Sequence, residues 1–159
     1  MRYLRTLSDI NVRNKRVLVR LDLNSDIRKG RLIPSERLTA PLATLKELQK
    51  KGAKTVILAH QGRPDTKFHD FTSLKQHAHY LNKFLKIKFI NDVIGARAIK
   101  EITALKAGQV LMLDNIRFVK DEINYQKGKP NKLIDTFAPL FNYYINDAFS
   151  ASHREHASI

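Results

Sequence analysis

The sequence of 159 residues contains no cysteine, which excludes disulfide bridges, a thiol nucleophile and a zinc site built from thiolates. It also lacks long hydrophobic runs, because no stretch reaches the roughly 18 apolar residues of a membrane span. The residues from Met1 to Asp9 contain neither an apolar segment nor a small-residue cleavage site. We therefore expect a soluble, cytoplasmic protein with no secretory signal and no membrane partner.

Sequence motifs for nucleotides and metals are absent as well. Neither a Walker A motif nor GxGxxG occurs, so the usual signs of a nucleotide site are missing and we expect no cofactor on these residues. His153 and His156 have a spacing that is compatible with metal binding on a helix, but no HExxH motif or third ligand accompanies them. We expect no metal site, and we expect His69, His77 and His79 to be solvated.

Acidic residues are scarce relative to basic ones. Lys and Arg number 29 and Asp and Glu number 15, which gives a formal net charge of +14. Such an excess suggests an anionic partner of some size or multiplicity, or it reflects a generally basic, solvated surface. The total charge alone does not decide between these two interpretations.

Hydrophobic residues make up 43% of the chain, and their spacing predicts alternating strands and helices. Strands are predicted at 15–24, 55–59, 88–90, 110–113 and 143–145. Helices are predicted at 35–51, 74–85, 96–106 and 132–141, with a capping box at Ser73 and Gln76. Pro41 is expected to lie in the first turn of its helix or to bend it, and Pro139 to kink its helix or to shorten it. Residues 68–72 and 120–130 are predicted loops. The alternation predicts a single three-layer, Rossmann-like α/β domain over residues 1–159, with a mainly parallel sheet covered by helices on both faces.

Polar side chains follow the predicted strands, and in a parallel sheet the carboxyl ends of the strands converge on one crevice. Arginines at three strand ends favour a phosphate clamp, with His60 as a further donor. Asp22 can orient an arginine or accept a bond from a ligand hydroxyl. Each residue also has a plainer interpretation: a solvated arginine, a core histidine, an Asp or Asn that bonds nearby backbone, or, for Arg37, a position on a helix surface. The candidate residues are Asp22, Asn24, Arg37, His60, Arg63, Arg117 and Arg154.

Four ordered motifs resemble the N-terminal domain of the phosphoglycerate kinase family. In order, they are similar to its strand-one signature, its His-x-Gly-Arg-Pro turn, its Asn-Leu-Arg-Phe element and its Asn-Asp-Ala-Phe block. The corresponding segments here are Val17-Leu18-Val19-Arg20-Leu21-Asp22-Leu23-Asn24, His60-Gln61-Gly62-Arg63-Pro64, Asn115-Ile116-Arg117-Phe118, and Asn146-Asp147-Ala148-Phe149 followed by His153-Arg154. The matches are collinear over nearly the whole chain.

The resemblance implies a two-domain enzyme that moves a phosphoryl group reversibly between 1,3-bisphosphoglycerate with ADP and 3-phosphoglycerate with ATP. It implies that His60, Arg63, Arg117 and Arg154 hold the substrate phosphate. Asp22 and Asn24 would position the hydroxyl and the carboxyl end of the substrate. Arg37 would bind substrate and act catalytically, facing the reacting carboxylate and the phosphoryl group in transfer.

The resemblance also implies that Mg-ATP or Mg-ADP is bound by a C-terminal domain that is absent from these 159 residues. The chain is therefore expected to be a fragment, a truncated form or a degenerate copy that binds 3-phosphoglycerate weakly without turnover. Three positions depart from the family pattern, since proline, glycine and a small residue are usual where Asp26, Ser150 and Glu155 stand. The alternative is a non-enzymatic basic α/β module that binds nucleic acid or another polyanion, although the resemblance does not lead us to expect a nucleic-acid partner.

Overall fold

Apolar, β-prone segments form a parallel sheet at the centre of the fold. The structure, a computed structural model, describes residues 6–63 and 72–159. Within these ranges the sheet contains β1 (Arg16–Leu21), β4 (Lys54–Ala59), β5 (Ile87–Phe89), β6 (Val110–Met112) and β7 (Tyr143–Asp147), in the order β5-β6-β4-β1-β7 with all neighbours parallel. Two further strands, β2 (Ile27–Arg28) and β3 (Arg31–Leu32), pair as a separate antiparallel hairpin.

Helices cover both faces of this sheet. The described helices are α1 (Glu36–Thr39), α2 (Leu42–Lys50), α3 (Lys75–Leu81), α4 (Ala96–Ala104), α5 (Lys120–Ile123) and α6 (Lys132–Phe137). Val17 and Val19 of β1 pack with residues of α1 to α3, whereas Leu18, between them, packs with residues of α4 and α6. Successive residues of a strand point to opposite faces. The predicted three-layer α/β fold with a mainly parallel sheet is therefore confirmed.

Several predicted boundaries were wrong, and proline accounts for two of them. The helix predicted at 35–51 is divided into α1 and α2 at Ala40 and Pro41, because proline lacks the N–H that a continuous helix needs. The helix predicted at 132–141 ends at Phe137, two residues before Pro139. The loop predicted at 120–130 begins with α5, and the hairpin of β2 and β3 was not predicted. Most of the predicted loop at 68–72 lies outside the described residues.

The predicted capping box of Ser73 and Gln76 does not form. Ser73 Oγ accepts a hydrogen bond from the Lys75 backbone N–H at 3.2 Å. The Gln76 side chain instead reaches the hairpin, where it bonds Leu32 N and Gly30 O. A tertiary contact has thus replaced the local cap. Among the described residues, no helix has the length and apolar character needed to cross a bilayer.

Candidate anion-binding site

The register of the sheet places polar residues of three neighbouring strands at one edge. Leu21, the last residue of β1, is paired with Ala59 of β4 on one side and with Asp147 of β7 on the other. Asp22 and His60 follow directly on two of these strand ends. The carboxyl ends of parallel strands are where open α/β sheets bind ligands.

His60 is buried at this edge against an arginine that the sequence analysis did not single out. Its Nδ1 lies 2.9 Å from Nη2 of Arg20. A guanidinium only donates hydrogen bonds, so Nδ1 accepts and the ring proton is on Nε2. Burial, followed by the charges of Arg20 and Arg117, lowers the pKa of His60 to about 2. His60 is therefore a neutral imidazole that can offer an Nε2–H donor to an anion.

Arg117 is also buried, and its guanidinium supports the turn after β4. Its Nη1 donates to the carbonyl of Gly62, a residue with a left-handed φ of +64°. Burial, followed by the charges of Arg154, Arg20 and Arg63, lowers the pKa of Arg117 to about 10. Arg117 remains charged at neutral pH. The other three arginines are therefore close enough to Arg117 to disfavour its charged form. A bound anion would reduce this repulsion between like charges.

A buried carboxylate partly offsets these cations. Glu122 is fully buried, and its oxygens accept from the backbone N–H and the hydroxyl of Ser158 at 2.9 and 2.7 Å. Ser158 Oγ in turn lies 3.0 Å from Nε of Arg20. Burial raises the pKa of Glu122, whereas the field of its carboxylate favours the charged forms of Arg20 and Arg117.

Tyr144 contacts the same C-terminal segment, because its hydroxyl donates to the carbonyl of Ser158. Burial raises the pKa of Tyr144 to about 12.

Sequence reasoning missed Arg20, Glu122 and Ser158. Arg20 carried a usable signal, since it is a charged residue inside an otherwise apolar strand. Glu122 carried none, because it stood within a predicted polar loop. His156, which was set aside as a metal ligand, is half-buried with Nδ1 3.7 Å from Oε1 of Glu122. The described residues include no cluster of three or more His, Asp and Glu side chains suited to a metal ion.

Asp22, Arg37 and Ser150 form a second polar group beside the arginines. Oδ2 of Asp22 accepts from Nη1 of Arg37 at 2.7 Å and also from the hydroxyl of Ser150. Oδ1 of Asp22 lies 3.2 Å from the backbone N of Asn24. Asn24 Oδ1 accepts from the Gly62 N–H at 2.8 Å. The candidate residues of the first strand end are thus connected both to Arg37 and to the turn that carries Arg63.

Two buried amides hold that turn in place. Gln61 Oε1 accepts from Ser25 N at 2.9 Å, and its Nε2 donates to Ser25 O at 2.8 Å. Asn115 Nδ2 donates to Gln61 O at 2.7 Å. His77 was expected to be solvated, but it is fully buried beneath Gln61, with Nε2 3.0 Å from Gln61 Oε1. Helical periodicity places His77 on the apolar face of α3, and this was the signal that the sequence analysis passed over.

The remaining candidates and departures lie toward solvent. Arg63 is exposed and Arg154 is half-buried. Asp26 pairs with Arg28 at 3.3 Å, and both side chains are more than two-thirds exposed. Glu155 is exposed. His79 is exposed as expected, and His69 lies outside the described residues.

A parallel α/β sheet with cationic side chains beyond its strand ends is the arrangement of Rossmann-like domains that bind phosphorylated ligands. The family model for phosphoglycerate kinase matches residues 7–159. The chain therefore belongs to the phosphoglycerate kinase family, and the resemblance drawn from its sequence is confirmed.

Individual relatives cover almost all of this chain. Phosphoglycerate kinase of Saccharolobus solfataricus is 42% identical over 160 residues, which are 97% of this chain and 39% of that protein. The enzyme of Brucella suis is 44% identical over 156 residues. The crystal structure of phosphoglycerate kinase from Pyrococcus horikoshii OT3 superposes with a TM-score of 0.87 at 37% identity, over 96% of this chain and 38% of that one. The chain thus spans about two fifths of the length of these relatives.

Neutral buried histidines make the stability of this domain depend on pH. Burial lowers the pKa of His77 to about 4. In the unfolded chain the pKa of His77 is near 6.5, so below pH 6.5 the unfolded chain binds a proton that folded His77 does not bind. The contribution of neutral His77 to stability is therefore fully present above pH 6.5 and is lost as the pH falls toward 4. Each such histidine contributes a slope of up to about 1.4 kcal/mol per pH unit. We expect His77→Gln to reduce the loss of stability between pH 7 and pH 5, measured by urea unfolding.

The matched control for this experiment is His79→Gln on the exposed face of the same helix. It should leave the slope of the wild-type protein unchanged. An identical pH dependence in all three proteins would show that His77 binds protons equally in the folded and the unfolded chain, which contradicts a pKa lowered by burial.

Proposed function

We propose that this chain is the acid-substrate-binding domain of a phosphoglycerate kinase. The complete enzyme would transfer a phosphoryl group reversibly between 1,3-bisphosphoglycerate with ADP and 3-phosphoglycerate with ATP. One observation carries the proposal: within a chain of this family, a neutral buried histidine and interacting arginines meet at the carboxyl edge of the sheet. Such a group suits a small, doubly charged phosphate.

The substrate phosphate is assigned to the cationic side of the crevice. His60 offers its Nε2–H, and Arg117 is held by Gly62 and carries its charge in a desolvated position. Arg63 and Arg154 complete the clamp from more exposed positions. Hydrogen bonds between charged partners contribute about 1.5 to 3 kcal/mol each. A clamp of this kind fixes one end of the substrate and so determines where its other end lies.

The other end of the substrate is assigned to Asp22, Asn24 and Arg37. Asp22 accepts from the substrate hydroxyl, and Asn24, whose Oδ1 is already used by Gly62, offers its amide N–H groups to the carboxylate. Arg37 is more than half exposed at the mouth of the crevice. Its guanidinium can neutralise the carboxylate and the incoming phosphoryl group. Phosphoryl transfer depends mainly on positioning and charge neutralisation, so no general base is required here.

The nucleotide and its magnesium ion are not assigned to these residues. Cationic side chains outnumber carboxylates in the crevice, and its two carboxylates already accept hydrogen bonds, Asp22 from Arg37 and Ser150 and Glu122 from Ser158. This donor set does not fit Mg²⁺. We assign Mg-ATP or Mg-ADP to a second domain of the complete enzyme, with residues 1–159 as the first. The non-enzymatic polyanion-binding module is the weaker alternative. The charges of Arg154, Arg20 and Arg63 all lower the pKa of Arg117, and this proximity favours one small site over an extended surface.

Substrate binding is tested by calorimetric titration of the chain with 3-phosphoglycerate. We expect saturable binding that is tighter than binding of sulfate or ATP. Loss of one charged hydrogen bond in Arg63→Ala should weaken it by about 10- to 150-fold. The control is Arg13→Ala, because Arg13 is exposed and lies before β1, at the amino ends of the strands. This variant should change the affinity by less than twofold, and equal effects of the two variants would contradict the assignment.

Ser150 provides a sharper test of Asp22. Its hydroxyl occupies the same Asp22 oxygen as Arg37, so a substrate hydroxyl competes with it. We expect Ser150→Ala to strengthen binding of 3-phosphoglycerate severalfold, up to about tenfold. Binding of 3-phosphopropionate, which lacks the hydroxyl, should not change. The control is Ser152→Ala, because the Ser152 hydroxyl bonds Asn146 and Ala148 and not Asp22. An equal gain in affinity for both ligands in Ser150→Ala would contradict the role assigned to Asp22.

Turnover by the 159-residue chain is expected to be absent, because closure of two domains assembles the reaction centre in a kinase of this design. The measurement is ADP formation from ATP and 3-phosphoglycerate in a coupled assay, at substrate concentrations that saturate the binding seen by calorimetry. Activity that co-purifies with the chain and disappears in Arg37→Ala would contradict the division of roles between two domains.

A further inference from the structure

A second cationic region lies outside the crevice, and its basic residues outnumber the acids that pair with them. Residues 72–91 contain four lysines and no Asp or Glu, and residues 27–33 contain three basic residues and no acid. Acids outside these segments pair with two of the seven, Asp26 with Arg28 at 3.3 Å and Glu101 with Lys88 at 2.5 Å. None of these basic residues belongs to the proposed substrate site. They account for part of the +14 charge that the crevice does not explain.

The fold brings these two segments together. Gln76 on α3 bonds both Leu32 N and Gly30 O of the hairpin, each at 2.9 Å. The hairpin itself opposes Arg28 to Arg31 in its cross-strand register. Like charges directly opposite one another destabilise a strand pair. Asp26 pairs with Arg28 and offsets part of this cost, and the Gln76 contacts hold the hairpin in a fixed position beside α3.

An apolar groove runs between the hairpin and α3. Its volume is about 430 Å³, its apolar lining comes from Leu32, Pro34 and Tyr80, and Lys75, His79 and Lys83 contribute the basic part of its lining. Lys83 Nζ lies 5.1 Å from the centre of the Tyr80 ring. Phe84, whose ring centre is 5.6 Å from that of Tyr80, is 44% exposed. We name this surface the α3 groove: its lining is Leu32, Pro34, Lys75, Gln76, His79, Tyr80 and Lys83. Two exposed residues flank it, Arg31 next to Leu32 in β3 and Phe84 beside the Tyr80 ring, so aromatic rings and basic side chains alternate on this surface.

We propose that the α3 groove binds single-stranded nucleic acid without sequence specificity. Exposed lysines act as point charges that neutralise phosphates along a backbone, and exposed aromatic rings provide faces on which bases of any kind stack. An acidic protein segment would satisfy the lysines but would leave Phe84 without a stacking partner. The α3 groove shares no residue with the proposed substrate site, so the two bind their ligands independently.

The test is fluorescence anisotropy of a fluorescein-labelled 20-nucleotide oligo(U) RNA titrated with the chain at 50 and 200 mM salt. Binding should weaken steeply with salt, because counterions are released from each phosphate contacted. The triple variant Arg31→Gln, Lys75→Gln, Lys83→Gln should weaken binding at 50 mM salt by about tenfold or more and should lower the salt slope. The control triple variant Lys46→Gln, Lys50→Gln, Lys100→Gln has the same charge change on α2 and α4 and should weaken binding by less than about threefold.

Stacking is tested separately with Phe84→Ala, which should weaken RNA binding about fivefold or more without changing the salt slope. Saturating 3-phosphoglycerate and the Arg63→Ala variant should leave RNA binding unchanged, so this test does not depend on the proposed function. Circular dichroism checks that each variant is folded. The proposal is overturned by absence of binding at 50 mM salt, by equal losses in the two triple variants, or by oligo-glutamate binding as tightly as RNA with no effect of Phe84→Ala, which would indicate an acidic protein partner instead.

Discussion

The burial of cationic side chains at the carboxyl edge of the sheet is the constraint on which the rest of this structure depends. Arg20 and Arg117 are almost completely buried, and a buried guanidinium must have acceptors or it destabilises the fold by several kcal/mol. The four acceptors come from three separate parts of the chain: the Leu21 carbonyl at the end of β1, the His60 ring and the Gly62 carbonyl in the turn after β4, and the Ser158 hydroxyl near the C-terminus. The side chains of the candidate anion site therefore also fix the end of β1, the turn after β4 and the segment around Ser158.

The fold could be predicted from sequence because its strongest signals are local. Buried parallel strands form continuous apolar runs, and helices of this domain show their apolar faces at helical spacing. The candidate residues could be proposed because a parallel topology gathers whatever follows each strand. The hairpin of β2 and β3 and the short helix α5 could not be predicted, since both are brief and depend on tertiary contacts such as those of Gln76 and Glu122.

The three departures from the family pattern differ in their physical consequence. Asp26 pairs with Arg28 of the hairpin, and Glu155 is exposed, so neither carboxylate is buried in the crevice. Ser150 is different, because it contacts Asp22 directly. A hydroxyl in place of glycine adds a donor to a carboxylate that already binds Arg37, and a change of one hydrogen bond is large enough to alter affinity.

The two cationic regions also differ in solvation, and this difference determines what each can recognise. In the crevice, burial lowers the pKa of Arg117 and makes His60 neutral. These side chains have already lost part of their contact with water. We therefore expect tight binding only of an anion whose oxygens replace the lost water contacts in the right geometry. The lysines of the α3 groove are exposed to solvent, so we expect them to need no ligand for their stability and to discriminate little between phosphates. We therefore expect the desolvated crevice to be selective for one anion and the exposed groove to bind phosphates in a salt-dependent, sequence-tolerant manner.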